Sequence, residues 1–274
     1  MTSIPTDDTN RFSFGANWAL FLSLLDEERI AEAQTSLQTM LGLKDLQGKT
    51  FLDIGSGSGL FSLAARRLGA RVHSFDYDLQ SVGCTKKLKQ LFFPEDPHWV
   101  VEQGSALDAD YMAQFGKFDV VYSWGVLHHT GSMWKGIELA LQRVAEGGQL
   151  FISIYNDQGR LSVFWKRVKQ TYNMFPKGLR LLILIPALVC LWGPTTVRDF
   201  LRGKPFLTWR NYGRSGGRGM DPWRDVVDWV GGYPFEVAKP EEVFNFCRNH
   251  GFQLNKLKTC AGGLGCNEFV FWKK

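Results

Sequence analysis

Residues 51–59 read Phe-Leu-Asp-Ile-Gly-Ser-Gly-Ser-Gly, an apolar run that ends on three alternating glycines. Backbone at Gly55, Gly57 and Gly59 must pass close to something that a Cβ would exclude. Seventeen residues after Gly59 a second apolar run closes on Asp76, near the spacing at which such folds grip a ribose. Strand, glycine turn, helix, strand and acid together describe one unit of a parallel sheet with a nucleoside cradle at its edge.

The rest of the chain repeats that alternation. Lys49–Ile54, Arg71–Phe75, His98–Gln103, Phe118–Trp124 and Gln149–Tyr155 read as strands. Leu60–Leu68, Leu79–Phe92, Leu107–Phe115 and Met133–Val144 read as the helices between them, with Gly69, Pro94 and the Gly147-Gly148 turn as punctuation. Such alternation predicts an α/β fold with a mostly parallel sheet and helices on both faces. Upstream, Trp18, Phe21, Leu22, Leu25, Ile30, Leu37 and Leu41 give a helical stripe within residues 1–47. After Tyr155 the rhythm breaks over residues 156–236, predicting a large, mainly helical insertion. It resumes at 237–274, where Pro240 opens a helix and Phe252–Cys260 with Cys266–Trp272 forms an antiparallel hairpin.

The 274 residues carry a formal charge of +5 and a high 14% of aromatics. Residues 156–236 hold thirteen Arg or Lys against six Asp or Glu, so the remainder is slightly acidic. Half of the ten tryptophans lie there too. Basic plus aromatic describes either a surface that meets anions with flat apolar parts or a small cap whose charges are solvated. Five scattered cysteines without C-x-x-C spacing suit reduced thiols. With a polar, acidic N-terminus showing no signal peptide, they predict a cytoplasmic protein. Leu181–Trp192 is a twelve-residue apolar run with a central proline, whereas a bilayer span takes about 20. It predicts a buried or lid helix that does not span, with peripheral membrane contact as the alternative.

Asp53 decides between ligands for the glycine turn. A pyrophosphate would occupy the turn and favour the positive helix end. A carboxylate just before the glycines suits a ligand carrying a cation, and the ammonium and sulfonium of S-adenosylmethionine meet that requirement. Asp76 then accepts two ribose hydroxyls.

The chain resembles the class I S-adenosylmethionine-dependent methyltransferases. Four motifs carry the likeness in order: Leu52–Gly59, Phe75–Asp78, Gly104–Asp108 and Phe118–His129. The resemblance implies a Rossmann-like sheet of seven strands, completed by the C-terminal hairpin. It puts the methionine end of the cofactor near Asp53, Gly55, Ser56 and Gly57, and the ribose on Asp76. Tyr77 would pack on the adenine and Ser105 and Ala106 lie at its edge, although many relatives carry Asp where Ser105 stands. Tyr122, Ser123 and Trp124 would face the methyl donor.

The His128-His129 pair follows the fourth strand, where open α/β sheets present their crevice, and the Leu-His-His pattern is similar to the quinone-biosynthesis methyltransferases. Either His129 or His128 takes a proton from a hydroxyl acceptor, or one of them caps the helix near Thr130–Met133 or orients the loop. Tyr155 and Asn156 leave the fifth strand at the same crevice. Trp223 and Arg224 sit in Met220–Asp225 which, like Asp228–Tyr233, reads either as a loop closing over the site or as a packed corner. Arg11–Trp18 either folds over the cofactor or begins a helix. His73, His98 and His250 stand apart, and no metal-ligand spacing is present. The first expectation is methyl transfer to a small aromatic or amphipathic acceptor. An RNA substrate held by the basic insertion, or a non-catalytic cofactor-binding partner protein, are the rival readings.

Overall fold

The computed structural model describes residue 12 and residues 25–212 and 222–274. Of the expected N-terminal helical region it contains α1, Glu27–Leu41, capped by Asp26 and closed by Gly42 in the left-handed conformation. Residues 11 and 13–24, including Trp18, Phe21 and most of Arg11–Trp18, lie outside the described residues.

The core then alternates as its apolar periodicity requires. In order come β1 (Thr50–Ile54), α2 (Leu60–Arg67), β2 (Arg71–Asp76), α3 (Leu79–Phe92), β3 (Trp99–Gln103), α4 (Ala109–Ala113), β4 (Phe118–Trp124), α5 (Met133–Leu141) and β5 (Val144–Tyr155). The C-terminal part contributes α10 (Pro240–Asn249), β6 (Phe252–Lys258) and β7 (Cys266–Lys273). One seven-stranded sheet results, in the order β3-β2-β1-β4-β5-β7-β6. Strands one to five are parallel, and β7 lies antiparallel between β5 and β6.

Strand alternation splits the core between the two faces. Leu52, Ile54, Val121, Ile152 and Phe271 meet α5 and α10 on one side. Phe51, Val120, Tyr122, Phe151 and Val270 meet α1 and α2 on the other. Both faces are covered, as a parallel sheet requires. The expected Gly147-Gly148 turn lies inside β5, at an irregularity where Phe118 pairs with Val144 but Val120 with Gln149. A Cβ on Gly148 would lie within 3.0 Å of the Ala145, Asp119 and Phe118 carbonyls, so only glycine fits that crossing.

Between Tyr155 and Ala238 the chain builds a helical cap: α6 (Arg160–Met174), α7 (Leu181–Leu201), α8 (Leu207–Asn211) and α9 (Pro222–Gly231). Trp165, Tyr172, Leu184, Ala187, Val226, Val230 and Phe235 form its own apolar centre. It departs from expectation at two places. The segments read as loops, Met220–Asp225 and Asp228–Tyr233, are mostly the single helix α9, with Pro222 at its start and Val226 and Val230 buried on one face; Met220 and Asp221 lie outside the described residues. The apolar run Leu181–Trp192, read as too short to span a bilayer, is part of a 21-residue helix that continues through Pro186 and Pro194 to Leu201, and by length and composition Lys177–Leu201 is long and apolar enough to cross one. Its outer side is exposed rather than buried. Both prolines sit at exposed positions, where water satisfies the carbonyls they leave unpaired.

Candidate functional site

The glycine turn is closed by main-chain and side-chain bonds. Gly55 and Ser56 donate N–H to the Phe75 carbonyl at 2.8 and 3.0 Å, and Gly57 N–H donates to Asp76 Oδ2 at 2.9 Å. Gly59 has φ 82°, and a Cβ there would lie 2.9 Å from Thr85 Cα on α3. The expected close approach at Gly59 is therefore between two helices.

Asp53 is 2% exposed. Its carboxylate ends a buried chain of donors: Trp99 Nε1 donates to Ser74 Oγ at 3.0 Å, Ser74 and Ser62 hydroxyls lie 2.6 Å apart, and Ser62 donates to Asp53 Oδ2 at 2.5 Å. Because an ionised carboxylate only accepts, the hydroxyls are ordered so that Ser74 donates to Ser62. Burial is the largest influence on Asp53 and pushes its carboxyl up to about 7, with Asp76 reinforcing the rise and Ser62 opposing it. Asp76 accepts from Gly57 and, through Oδ1, from Asp78 N–H at 2.9 Å.

After β4, Leu127–His129 makes one tight turn. The chain returning from the cap clamps it: Glu236 N–H donates to the His128 carbonyl at 2.9 Å, and His129 Nδ1 lies 2.7 Å from the Pro234 carbonyl. A carbonyl only accepts, so Nδ1 carries the proton and Nε2 is the basic nitrogen of the neutral ring. The start of α5 is capped by Glu236, whose carboxylate accepts from Met133 N–H at 3.0 Å, rather than by a histidine.

A cavity of about 960 Å³ joins these parts. Asp53, Gly55, Ser56, Gly57, Asp76 and Tyr77 line one end; His129 and Tyr155 lie beyond them; Trp192, Arg198, Asp228 and Trp229 wall it from the cap. Phe12 also reaches it, anchored by its N–H to the Tyr233 carbonyl at 3.1 Å. Under Trp229, the ammonium of Lys169 is fully buried, donates to the Trp229 carbonyl and sits over the Trp229 ring at 4.3 Å. Burial pushes Lys169 down to about 7.

Several expected site residues lie off this cavity. His128 is fully buried against the Tyr155 ring, 3.9 Å away, and burial holds it well below the usual histidine range. Neither of its ring nitrogens makes a hydrogen bond of regular geometry, although a weak main-chain contact at Ser153 works in the opposite direction. Ser123 points to the sheet face opposite its neighbours Tyr122 and Trp124 and donates to the Ile54 carbonyl at 3.0 Å. Ser105 accepts from Leu107 N–H, and Ala106 is packed in the core. The third motif owes its glycine to Tyr111, whose ring would lie 2.1 Å from a Cβ on Gly104. Asn156 bonds Asn267 at 3.0 Å and joins β5 to β7. Trp223 packs against the cap's apolar centre, and Arg224 is likewise absent from the lining; Asp225, Val226, Asp228 and Trp229 present the cavity face of the same helix.

The family described as a methyltransferase domain matches residues 25–183, more than half of the chain. The chain belongs to the methyltransferase domain family. Among curated proteins it is similar to a ubiquinone biosynthesis O-methyltransferase of Paraburkholderia xenovorans, 31% identical over 135 residues. That match covers 48% of this chain and 56% of the relative, so the chain spans about half the length of the curated relatives it matches. Among solved structures, magnesium protoporphyrin IX methyltransferase from Synechocystis PCC 6803 with bound SAH superposes with a TM-score of 0.53 at 12% identity, covering 89% of this chain and 83% of that one. An O-methyltransferase family protein from Burkholderia thailandensis gives 0.53 at 12% identity, with 89% of this chain and 57% of that chain covered. At these identities the superpositions show the fold.

Within the family frame, sequence reasoning missed two groups of lining residues. Leu264, Gly265, Cys266 and Glu268 reach the cavity because β7 runs antiparallel to β5 and begins where the parallel strands end. The signal was the reversed direction of the last strand. Thr195 and Arg198 come from the inner side of α7, beyond Trp192, where the apolar run ends.

Proposed function

We propose that the protein transfers a methyl group from S-adenosylmethionine to a small aromatic or amphipathic acceptor held beneath the cap. One observation carries this: a single cavity is lined both by the nucleoside cradle and by the cap's aromatic wall. The residues present fit the cofactor. The turn leaves no room for side chains at Gly55, where a Cβ would lie 2.4 Å from Val126, and the Asp76 carboxylate stands beside it, bonded to Gly57 N–H. Asp53 and Asp76 would favour the cationic methionine end, Asp76 would hold the ribose, and Tyr77 would pack on the adenine. Bound S-adenosylmethionine supplies a methyl group made electrophilic by its sulfonium.

The protein's own residues orient the acceptor and exclude water. Trp192, Trp229 and Tyr155 offer flat faces for an aromatic body, and the Arg198 and Asp228 side chains can fix its polar groups. Where the acceptor carries a hydroxyl, His129 Nε2 takes its proton while Pro234 holds the opposite nitrogen. Positioning of acceptor and donor supplies much of the acceleration. All five cysteines are free thiols, which supports a reducing compartment such as the cytoplasm.

The test is calorimetric titration with S-adenosylmethionine, followed by transfer of a labelled methyl group into a cell extract and identification of the product. Replacing Asp76 with Ala removes charge-assisted bonds of about 1.5–3 kcal/mol each, so binding should weaken more than about tenfold. Undiminished binding by that variant, or no binding by the wild type, would remove the proposal.

A further inference from the structure

α7 has two faces with opposite duties. Leu184 and Ala187 are buried in the cap's apolar centre, and Leu191 and Trp192 form cavity wall. On the other side Leu182, Ile185 and Val189 and, beyond a break at Gly193, Val197, Phe200 and Leu201 are 54–84% exposed. At about 100° per residue the two groups lie along one side of a helix about 31 Å long. Only 11% of its most apolar stretch is buried. Isolated exposed apolar residues are ordinary, but six of them along one side of a single helix mark a contact surface.

Charge says what the stripe meets. Lys177 stands at one end, and Arg202 and Lys204 stand at the other, all exposed. The single acid between Lys177 and Lys204 is Asp199. It is 5% exposed and engaged by Thr208 N–H at 2.7 Å and Thr208 Oγ1 at 2.9 Å. The surface therefore presents apolar side chains flanked by positive charge, with no acid of its own. A second copy would bring the same positive ends against it. An anionic lipid surface is complementary to both features.

We propose that the outer stripe of α7 docks the protein on an anionic lipid bilayer, the helix lying in the plane of the interface. By length and composition the helix could cross a bilayer, but spanning would strip its inner face from Val226 and Val230 and from the cavity, so docking in the interface plane is the arrangement that keeps the cap intact. Docking would seat the cavity's own wall on the membrane. The readout is binding, so the proposal stands or falls independently of the methyl-transfer reading.

The full chain is co-sedimented with vesicles of phosphatidylcholine alone and of phosphatidylcholine mixed with phosphatidylglycerol. Recovery is expected with the mixed vesicles and should fall as salt is raised, a measurement that needs no variant. Lys177→Gln and Arg202→Gln should each weaken partition about fivefold, the equivalent of about 1 kcal/mol per basic side chain at an anionic surface. Leu182→Glu combined with Val189→Glu, at positions 66% and 64% exposed, should abolish recovery while leaving the melting temperature unchanged. No recovery of the wild type with mixed vesicles overturns the proposal, and so does recovery that the double substitution leaves intact. Resistance of bound protein to alkaline carbonate overturns docking in the interface plane. A wild-type dimer that the same substitutions dissociate also overturns it, because a second copy would then cover the stripe.

Discussion

Asp53 makes the stability of the ligand-free protein depend on pH in an unusual direction. Its folded carboxyl keeps a proton up to about 7, against an ordinary value of 3.8. Between those limits the native state binds more protons than the unfolded chain, so stability present below the lower limit is lost as pH rises toward the upper one. A tenfold change in proton affinity is worth about 1.36 kcal/mol, giving about 4 kcal/mol across the window and roughly 2–3 kcal/mol between about pH 5 and pH 8. Asp53→Asn keeps the shape and an acceptor for Ser62 but cannot ionise. Urea unfolding at both pH values should therefore show a drop of that size in the wild type beyond whatever the variant shows. Titration with S-adenosylmethionine gives a second reading: a cation favours ionised Asp53, so affinity should rise with pH in the wild type and less in the variant. Equal pH dependence of unfolding in the two proteins would refute the argument from burial.

Gly59→Ala should cost about 1–3 kcal/mol from backbone strain alone, with more from the 2.9 Å approach to Thr85, measured by urea unfolding. For a hydroxyl acceptor, His129→Gln should lower kcat by about 10²–10⁴-fold and leave the cofactor Kd unchanged by calorimetry. Lys169 is held down to about 7 against an ordinary 10.5, so the unfolded chain binds more protons there and stability rises with pH across that window. Lys169→Met should remove that rise in urea unfolding between about pH 7 and pH 9.

Elements built on strong periodicity were legible in the sequence. α3 at Leu79–Phe92 and β4 at Phe118–Trp124 have the bounds expected from their apolar patterns, because both are fixed by local chemistry and flanking turns. The cradle was legible for the same reason, since glycine and acid spacing on one βαβ unit is a local property. What sequence could not give was facing. Ser123 is off the cavity because alternation sends it across the sheet, while Tyr122 and Trp124 stay on it. His128 and His129 are neighbours with opposite fates, buried and cavity-lining, and the clamp that separates them comes from Pro234 and Glu236, over a hundred positions away. The extent of α7 was hidden because the apolar run ends at Trp192, before Gly193, Pro194, Thr195 and Thr196. Pro186 and Pro194 both lie inside the helix, at exposed positions.

The return path from cap to core has a consequence for any exchange of parts. Asn156 and Ala238 bridge side by side where the chain leaves and rejoins the sheet, which marks an obvious seam for transplanting one cap onto another core. The last stretch before that seam belongs functionally to the core, because Pro234 and Glu236 hold the turn that carries His129. A graft ending at Glu236 would swap out the latch along with the lid. The workable cut lies before Tyr233, so the cap's cavity wall can be exchanged in a block that leaves the His129 turn and its Pro234 and Glu236 contacts untouched.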